Sequence, residues 1–278
     1  DVNEKWYDYN NKEWANAVTT SSSTYRTASP GTTIPMSSIN SMWVWIPRYK
    51  YRIPSNMGSS SAVEEPPEID ILFENGTTTT GESLEDCPIS ATNCYYTHPA
   101  FRNGNSVYET TAYDQGGWDE ELTGIWVGKF ETGGSATTPL IKPDIVALSN
   151  QSLYTQFVTS LKFAGGTKSG STVTFSGNTT YGLTSSTDTH MMKNTEWGAV
   201  AYLSQSKYGK MGNPNYSGAN KEIYKNNSSS YYTGRSSGVP PASGYSSYGT
   251  YSYIGKSCSS STCTGSQNIL KETVFAYI

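Results

Sequence analysis

Four cysteines are the side chains in this sequence best suited to chemistry, and they form two local pairs. Cys87 and Cys94 bracket CPISATNC, and Cys258 and Cys263 bracket CSSSTC. Zinc sites usually pair shorter spacings or add histidines, whereas loop-forming residues fill both gaps here. We therefore predict two loop-closing disulfides, Cys87–Cys94 and Cys258–Cys263, formed in an oxidising compartment. Free thiols and a shared four-cysteine metal site are the alternatives.

The two histidines and one acidic stretch are the next candidates. His98 and His190 lie far apart in the sequence and have no serine or cysteine partner motif, so we interpret both as structural. The stretch Tyr113–Leu122 clusters carboxylates, which are the hard ligands that Ca²⁺ prefers. Because it lacks EF-hand spacing and the Glu-Pro-Asn or Trp-Asn-Asp sequences of lectins, we predict a solvated acidic turn and no metal. A Ca²⁺ site near Asp114 and Asp119 is the alternative.

A third candidate is the segment 213–262, which is rich in tyrosine and poor in charge. It holds 14 Ser, 8 of the 22 Tyr, 6 Gly and 5 Asn, but only five charged residues. Tyrosine gives rigid contact area with few rotors, and Ser, Gly and Asn add adaptable hydrogen bonds, as in antibody contact surfaces. We predict that this segment binds an extracellular protein or a glycan. The predicted contact residues are Tyr231, Tyr232, Arg235, Tyr245, Tyr248 and Tyr251. The alternative is a surface loop whose tyrosines pack on the domain.

Composition excludes several other classes of function. The net charge is −4, charged residues are 15% of the chain, and there is no basic run, so we expect no nucleic-acid partner. No apolar run approaches the roughly 20 residues that a membrane helix needs. The chain begins at Asp1 without Met, so we expect that a leader, anchor or tag was removed. Together with the local cysteine pairs, the low charge predicts an extracellular or cell-surface protein that is not an enzyme and has no cofactor.

Several predicted strands must position these residues. Aromatic residues of Lys5–Val18 flank an Asn-Asn turn, which predicts a hairpin or a strand entering a short helix. Ser41–Ile53 alternates aromatic residues, and its Pro47 predicts an edge strand or a bulge. Glu68–Gly76 reads as a second strand. Gly124–Thr132 is apolar nearly throughout, which predicts a central, buried strand.

Two helices are predicted in the second half. The first spans Ser149–Phe163, with a cap at Ser149/Asn150, a buried face containing Leu153, Phe157 and Leu161, and a stop at Gly165–Gly166. The second spans Asn194–Lys207, and Asn194 is its predicted cap. Its predicted buried face is Trp197, Val200, Ala201 and Ser204, and Glu196 is predicted to serve the helix start and packing. Between the helices, STVTFSGNTTYGLT is typical of a strand or hairpin.

The remaining segments are predicted to be loops within one domain that covers 1–278. Residues 1–40 form an N-terminal hairpin and loop part, and 77–117 form an insertion stapled by the first cysteine pair. Connections of that length are uncommon unless they are functional, stapled or disordered. The fold class is α+β, with two helices packed on a twisted, mostly antiparallel sheet with long loops.

Two resemblances sharpen this prediction. The strand GIWVGKFET, a helix and then MMKNTEWGAVAYL resemble the formylglycine-generating-enzyme (sulfatase-modifying-factor) group of C-type-lectin-like domains, through Thr195, Glu196, Trp197 and the Ala/Tyr positions that follow. The chain also resembles Firmicutes surface proteins that carry WVWIPRYKYKI-like and GIWVGKFE-like segments, many of which have a prepilin-like hydrophobic N-terminus. The first resemblance covers roughly Gly124–Gly209, and the second covers most of the chain.

The resemblances imply a C-type-lectin-like fold and three functions to compare. The preferred one is a non-catalytic binding or adhesion module. The first alternative is a pilin-like filament subunit without its N-terminal helix, whose partners would be neighbouring subunits. The second is a formylglycine-generating-type oxidase, whose members need a late cysteine pair. Cys258 and Cys263 are late, but they stand in a Ser-rich loop at a spacing typical of a disulfide.

Overall fold

The computed structural model describes residues 7–11, 13–53, 68–77, 95–103, 118–209 and 211–212, and the backbone of 257–259 and 262–264. These residues form an α+β structure of small antiparallel sheets and a few helices, which confirms the coarse fold class. The strands are β1 (Asn16–Thr20), β2 (Ile39–Pro47), β3 (Tyr49–Arg52), β4 (Asp70–Phe73), β5 (Tyr96–Thr97), β6 (Gly124–Gly128), β7 (Gly133–Gly134), β8 (Pro139–Leu140), β9 (Gly166–Ser169), β10 (Thr172–Phe175), β11 (Ser257–Ser259) and β12 (Thr262–Thr264). The helices are α1 (Ser23–Arg26), α2 (Leu153–Leu161) and α3 (Asn194–Ser204).

The described strands form several small sheets instead of one continuous sheet. Two have three strands, in the orders β1-β2-β6 and β4-β3-β5, and the others are two-stranded. The predicted strand Ser41–Ile53 supplies the middle strand of both larger sheets, because it divides at Pro47 and Arg48 into β2 and β3. Pro47 therefore ends a middle strand and does not mark an edge strand. Pro47 has no N–H to donate to a neighbouring strand, which is compatible with a place at the end of β2.

The strand β6 lies at the edge of its sheet among the described strands, which corrects the prediction of a central, buried strand. Its side chains alternate in burial: Ile125 is 7% exposed, whereas Trp126 is 44% exposed. Neighbouring side chains of a strand point to opposite faces, so a nearly continuous apolar run does not require burial on both faces. The Trp126 ring packs 5.2 Å from that of Trp45 on β2.

Three predicted strand features are confirmed. The Asn10–Asn11 turn is closed by an antiparallel bridge between Asp8 and Glu13, and the Asp8 carboxylate accepts from the Asn10 backbone N–H at 3.0 Å. Within Glu68–Gly76 lies β4, which pairs antiparallel with β3. Within STVTFSGNTTYGLT lies the strand β10, and its antiparallel partner β9 precedes that stretch, with Ser169 paired to Thr172 around a turn at Gly170.

The helix α2 begins later than its predicted start. Asn150 has φ 57°, a left-handed conformation that does not continue into a helix, and the Ser152 hydroxyl instead accepts from the Thr155 N–H at 3.1 Å. After α2 a 3₁₀ turn, Lys162–Ala164, ends at Gly165, whose φ of 70° confirms the predicted glycine stop. Leu153 is 63% exposed, which corrects its place on the buried face, whereas Leu161 is 1% exposed as predicted.

The helix α3 is confirmed, but its cap and its buried face are corrected. The cap position is Lys193 and not Asn194, and the Lys193 backbone N–H donates to Glu196 Oε2 at 2.7 Å. The buried residues of the helix are Glu196, Ala199, Ala201 and Leu203, whereas Trp197, Val200 and Ser204 are only partly buried. The buried face of α3 is therefore rotated relative to the predicted one. Glu196 is buried, whereas Trp197, which was predicted to be buried, is only partly covered.

The chain divides into two compact units, which we call the first and the second unit. The first comprises residues 1–13, 46–125 and 193–278, and the second comprises residues 14–45 and 126–192. In the second unit, Ile141, Phe163 and Tyr181 form the apolar centre, with Trp43 and Leu183 packed against it. In the first unit the interior contains Tyr49, Ile69, Ile71 and Phe101. The single domain over 1–278 stays a prediction.

Part of the predicted insertion 77–117 belongs to the interior of the first unit. The strand β5 pairs with β3, and a 3₁₀ turn at Pro99–Phe101 follows it. Thr97, His98, Ala100 and Phe101 are all at least 95% buried. The sequence signal was missed because the strand has only two residues and the segment around it is rich in turn-forming residues.

Candidate functional site

The predicted binding residues lie outside the part of the chain that the structure describes. These are Tyr231, Tyr232, Arg235, Tyr245, Tyr248 and Tyr251, and the same holds for the side chains of Cys87, Cys94, Cys258 and Cys263 and for Asp114. The described residues do include the point at which α3 leads into segment 213–262, and a short backbone hairpin at its far end. The geometry of these two ends is therefore the candidate site.

At the start of the segment, the chain is fixed to the first unit by a buried turn, which we call the loop anchor: Leu203, Gln205, Ser206, Tyr208 and Met211. All five residues are at least 91% buried. The Gln205 carbonyl accepts from the Ile69 N–H at 2.9 Å, and the Gln205 amide Nε2 lies 3.2 Å from Met211 Sδ. A buried polar side chain with hydrogen bonds holds its backbone in one arrangement. Segment 213–262 therefore begins one residue after a fixed part of the scaffold, which ends at Gly212.

A ring contact and a serine complete the anchor. The Tyr208 ring packs 4.7 Å from Phe73 at the end of β4. Ser206 is fully buried, donates to the Leu203 carbonyl at 2.7 Å, and accepts from the Tyr208 N–H at 3.2 Å. This corrects the interpretation of Asn194–Lys207 as one continuous helix, because the last residues form a separate buried turn. The signal in the sequence is the Ser204–Tyr208 stretch, whose polar residues do not continue a helical apolar face.

Beneath α3 lies a cluster of aromatic rings around a histidine, which we call the His98 cluster: Tyr49, Tyr51, His98, Phe101 and Tyr202. The His98 ring lies 5.4 Å from Tyr49, 5.3 Å from Tyr51 and 5.2 Å from Tyr202. Its Nδ1 accepts from the Ala100 N–H at 3.2 Å, so Nδ1 carries no proton and the ring is neutral with its proton on Nε2. Burial lowers the pKa of His98 to about 3.

The tyrosines of this cluster are held in the same way. The Tyr49 hydroxyl donates to the Ala199 carbonyl of α3 at 2.7 Å, and burial raises the pKa of Tyr49 well above its usual value. Burial also raises the pKa of Tyr202. The His98 cluster joins β3, the 3₁₀ turn and α3 through ring packing. With 4% exposure, His98 is a buried packing residue and does not face solvent, in agreement with its structural interpretation.

A buried charge network stands beside this cluster, and the sequence reasoning did not find it. Arg48 is fully buried, and its Nε lies 2.9 Å from Glu74 Oε2 while its Nη1 lies 2.7 Å from Glu121 Oε2. Arg48 also donates to the Phe101 and Leu122 carbonyls. Glu74 is nearly fully buried and accepts from the Thr97 hydroxyl at 3.0 Å. The only signal in the sequence is an arginine that directly follows Pro47 within an aromatic strand.

The acidic stretch takes part in this network. Glu121 is the partner of Arg48, and its other oxygen accepts from the Asn103 N–H at 3.0 Å. Asp119 and Glu120 are exposed, which agrees with a solvated turn for those two residues. Trp118 donates to the Ala100 carbonyl, and its ring contacts the Lys193 ammonium at 3.3 Å. Within the described ranges, no group of three or more His, Cys, Asp or Glu residues is placed to hold a metal.

His190 and the hairpin at the far end of segment 213–262 are also described by the structure. His190 Nδ1 lies 3.2 Å from Asp188 Oδ2, at a partly exposed position of the second unit. The backbone of β11 and β12 forms an antiparallel hairpin in which Cys258 stands opposite Cys263. The disulfide pairing itself stays a prediction. Among the described helices, none is long and apolar enough to cross a membrane.

Comparison with known proteins adds no relative. No protein-family model matches the chain, and neither a curated protein nor a solved structure matches it.

Proposed function

We propose that the chain is an extracellular, non-catalytic binding module that presents segment 213–262 to a protein or glycan ligand. The observation that carries this proposal is the loop anchor. A segment with 8 tyrosines and five charged residues begins directly after a turn in which five residues are at least 91% buried. Binding residues concentrate on loops that a rigid scaffold positions, and tyrosine with arginine dominates interface energetics.

The C-type-lectin-like fold is part of the same proposal. It is supported by the chain order of β6, α2 and α3, and by the MMKNTEWGAVAYL sequence, whose residues from Asn194 onward lie in α3. Glu196 of that sequence is 5% exposed and accepts from the Lys193 N–H, which suits a role in fixing the start of the helix. Under the proposal, α3 and the loop anchor are the support of the binding surface.

The test changes Tyr231, Tyr232 and Arg235 together to alanine. We expect loss of binding on a printed glycan array and on a panel of immobilised extracellular matrix proteins, with the thermal unfolding midpoint nearly unchanged. The matched control is Tyr154→Ala, a tyrosine of α2 that is 61% exposed and lies in the other unit. We expect the control to bind like the unchanged protein.

Three results would contradict the proposal, and each identifies a different error. A large fall in thermal stability of the triple variant would show that these side chains belong to a core. Concentration-dependent assembly in sedimentation velocity that the triple variant abolishes would favour the filament subunit. Copper-dependent conversion of a cysteine in a synthetic peptide, detected by mass, would favour the formylglycine-generating oxidase.

A further inference from the structure

One exposed turn of the first unit contains an Asn-Gly pair, which can react within the chain without any ligand. Asn75 and Gly76 directly follow β4 and Glu74, and both are exposed. The sequence contains two Asn-Gly pairs, Asn75-Gly76 and Asn103-Gly104. In such a pair the backbone nitrogen of the glycine is the least hindered nucleophile that the chain can offer to the asparagine side chain, because glycine has no Cβ.

The described residues around Asn75 make no hydrogen bond that would oppose this reaction. Within the described ranges, neither the Asn75 side chain nor the Gly76 amide makes a hydrogen bond. Gly76 has φ 75°, a conformation that glycine adopts without steric cost. Among the described residues, a Cβ built at Gly76 would have no atom within 4 Å.

The second pair is held differently. The Asn103 backbone N–H donates to Glu121 Oε1 at 3.0 Å, and Asn103 forms a bridge with Trp118. Because Glu121 also pairs with the buried Arg48, these contacts connect Asn103 to the charge network. These contacts restrain the Asn103 backbone, whereas the described residues make no such contact to Asn75.

We propose that Asn75 is a site of spontaneous deamidation in the folded protein. The Gly76 nitrogen attacks Cγ of the Asn75 side chain, the new C–N bond closes a five-membered succinimide, and ammonia leaves. Water then opens the ring at either carbonyl and gives aspartate or isoaspartate. Water is the only co-reactant, and the product has one more negative charge than the original chain.

The position gives this modification a local consequence. The new carboxylate stands directly after Glu74, whose own carboxylate pairs with Arg48 at 2.9 Å. In the isoaspartate product, the main chain of residue 75 is one carbon longer. Glu74, the residue before it, donates its backbone N–H to the Arg48 carbonyl at 3.0 Å. Asn75 therefore links slow chemical ageing of the protein to the edge of its buried charge network.

The test follows both Asn-Gly pairs in one sample. The folded protein is incubated in mildly alkaline buffer, and peptide mapping by mass spectrometry measures conversion at Asn75 and Asn103, with isoaspartyl methyltransferase labelling to count isoaspartate. We expect several-fold faster conversion at Asn75. In guanidinium the two identical dipeptides should convert at similar rates, which shows that the difference comes from the fold.

Two variants make the test decisive. Gly76→Ala should slow conversion at Asn75 several-fold and leave Asn103 unchanged, because the added Cβ shields the nitrogen. Asn75→Ser should remove the mass change at this site. This variant keeps Gly76, so the turn backbone is not altered. Conversion at Asn103 that equals or exceeds that at Asn75 in the folded protein would overturn the proposal. So would an unchanged rate at Asn75 in Gly76→Ala.

Discussion

The interiors of the two units bury different kinds of polar group. In the second unit, the buried polar side chains within the described residues are hydroxyls: Thr19, Thr20, Ser41 and Thr159. In the first unit they include a guanidinium, a carboxylate, an imidazole and an amide, from Arg48, Glu196, His98 and Gln205. A hydroxyl needs one or two neighbours to be satisfied, whereas a buried charge needs an opposite charge as well.

The two units should therefore differ in how their stability depends on charged groups. In the second unit, the Thr19 and Ser41 hydroxyls hydrogen-bond across the paired strands β1 and β2, and the Tyr181 hydroxyl donates to the Pro139 carbonyl at 2.7 Å. The described buried polar groups of this unit are neutral, so we expect its stability to depend little on charge state. In the first unit, Arg48 joins Glu74, Glu121 and two carbonyls. Its stability must therefore depend on charge state and on every partner being present.

The largest expected effect comes from removing one partner of the buried ion pair. Arg48→Met should destabilise the protein by about 3–5 kcal/mol, because the Glu74 carboxylate stays buried without its cation. Glu74→Gln should be milder, because the amide oxygen can still accept from the Thr97 hydroxyl that lies 3.0 Å from Glu74. Urea unfolding of both single variants and of the double variant measures the coupling.

The result of that cycle decides whether the comparison of the two units holds. A double variant that is less destabilised than the sum of the single variants would show that most of the cost is an uncompensated charge. Phe163→Leu in the second unit is the control for ordinary packing loss, and its partners are the rings of Trp43 and Tyr181. The comparison would be wrong if the free-energy losses of Arg48→Met and Glu74→Gln were additive in the double variant and no larger than the loss of Phe163→Leu.

The next largest effect is a dependence on pH that originates at His98. Burial lowers the folded-state pKa of His98 to about 3, below the unfolded value of about 6.5. The unfolded state therefore binds the proton more tightly, so this stability is complete above pH ~6.5 and falls as the pH decreases toward about 3. Between pH 7 and 5 the loss should be about 2 kcal/mol.

A conservative variant isolates this effect from the titration of carboxylates. His98→Asn keeps a side chain that can accept from the Ala100 N–H, as His98 Nδ1 does at 3.2 Å, but it does not titrate. The variant should be less stable at pH 7 and should lose less stability on acidification. Chemical unfolding at several pH values measures both slopes. Equal slopes in the two proteins would contradict the assignment to His98.

The comparison also shows which features sequence reasoning can reach. Local signals were sufficient for the glycine stop at Gly165, the Asn10–Asn11 turn and the existence of α2 and α3, because each depends on residues close in sequence. The Arg48 network was not reachable in this way. Its partners Glu74 and Glu121 are separated from Arg48 by 26 and 73 positions, and each appears locally as an ordinary charged residue.

The errors have a common physical cause. The sequence places an apolar stripe on a helix, but it does not show which part of that stripe another element covers. Leu153 was expected inside and is 63% exposed, and Trp197 was expected on the buried face of α3 and is only partly buried. The candidate binding residues Tyr231, Tyr232 and Arg235 rest on composition alone, and they stay predictions.

The smallest expected effect tests the apolar side of the comparison. Leu153 and Leu161 lie on one α2 face, eight residues apart, but they are 63% and 1% exposed. Leu153→Ala should change stability by less than about 0.5 kcal/mol, because the side chain is already largely in water. Leu161→Ala should cost about 2–5 kcal/mol, because the Leu161 side chain is 1% exposed and its removal leaves a cavity. Thermal and urea unfolding of both variants measure the contrast.

A loss of 2 kcal/mol or more at Leu153, roughly the cost of a core truncation, would mean that this end of α2 is covered in solution. The stability of the second unit would then depend on apolar contacts beyond the cluster of Ile141, Phe163 and Tyr181.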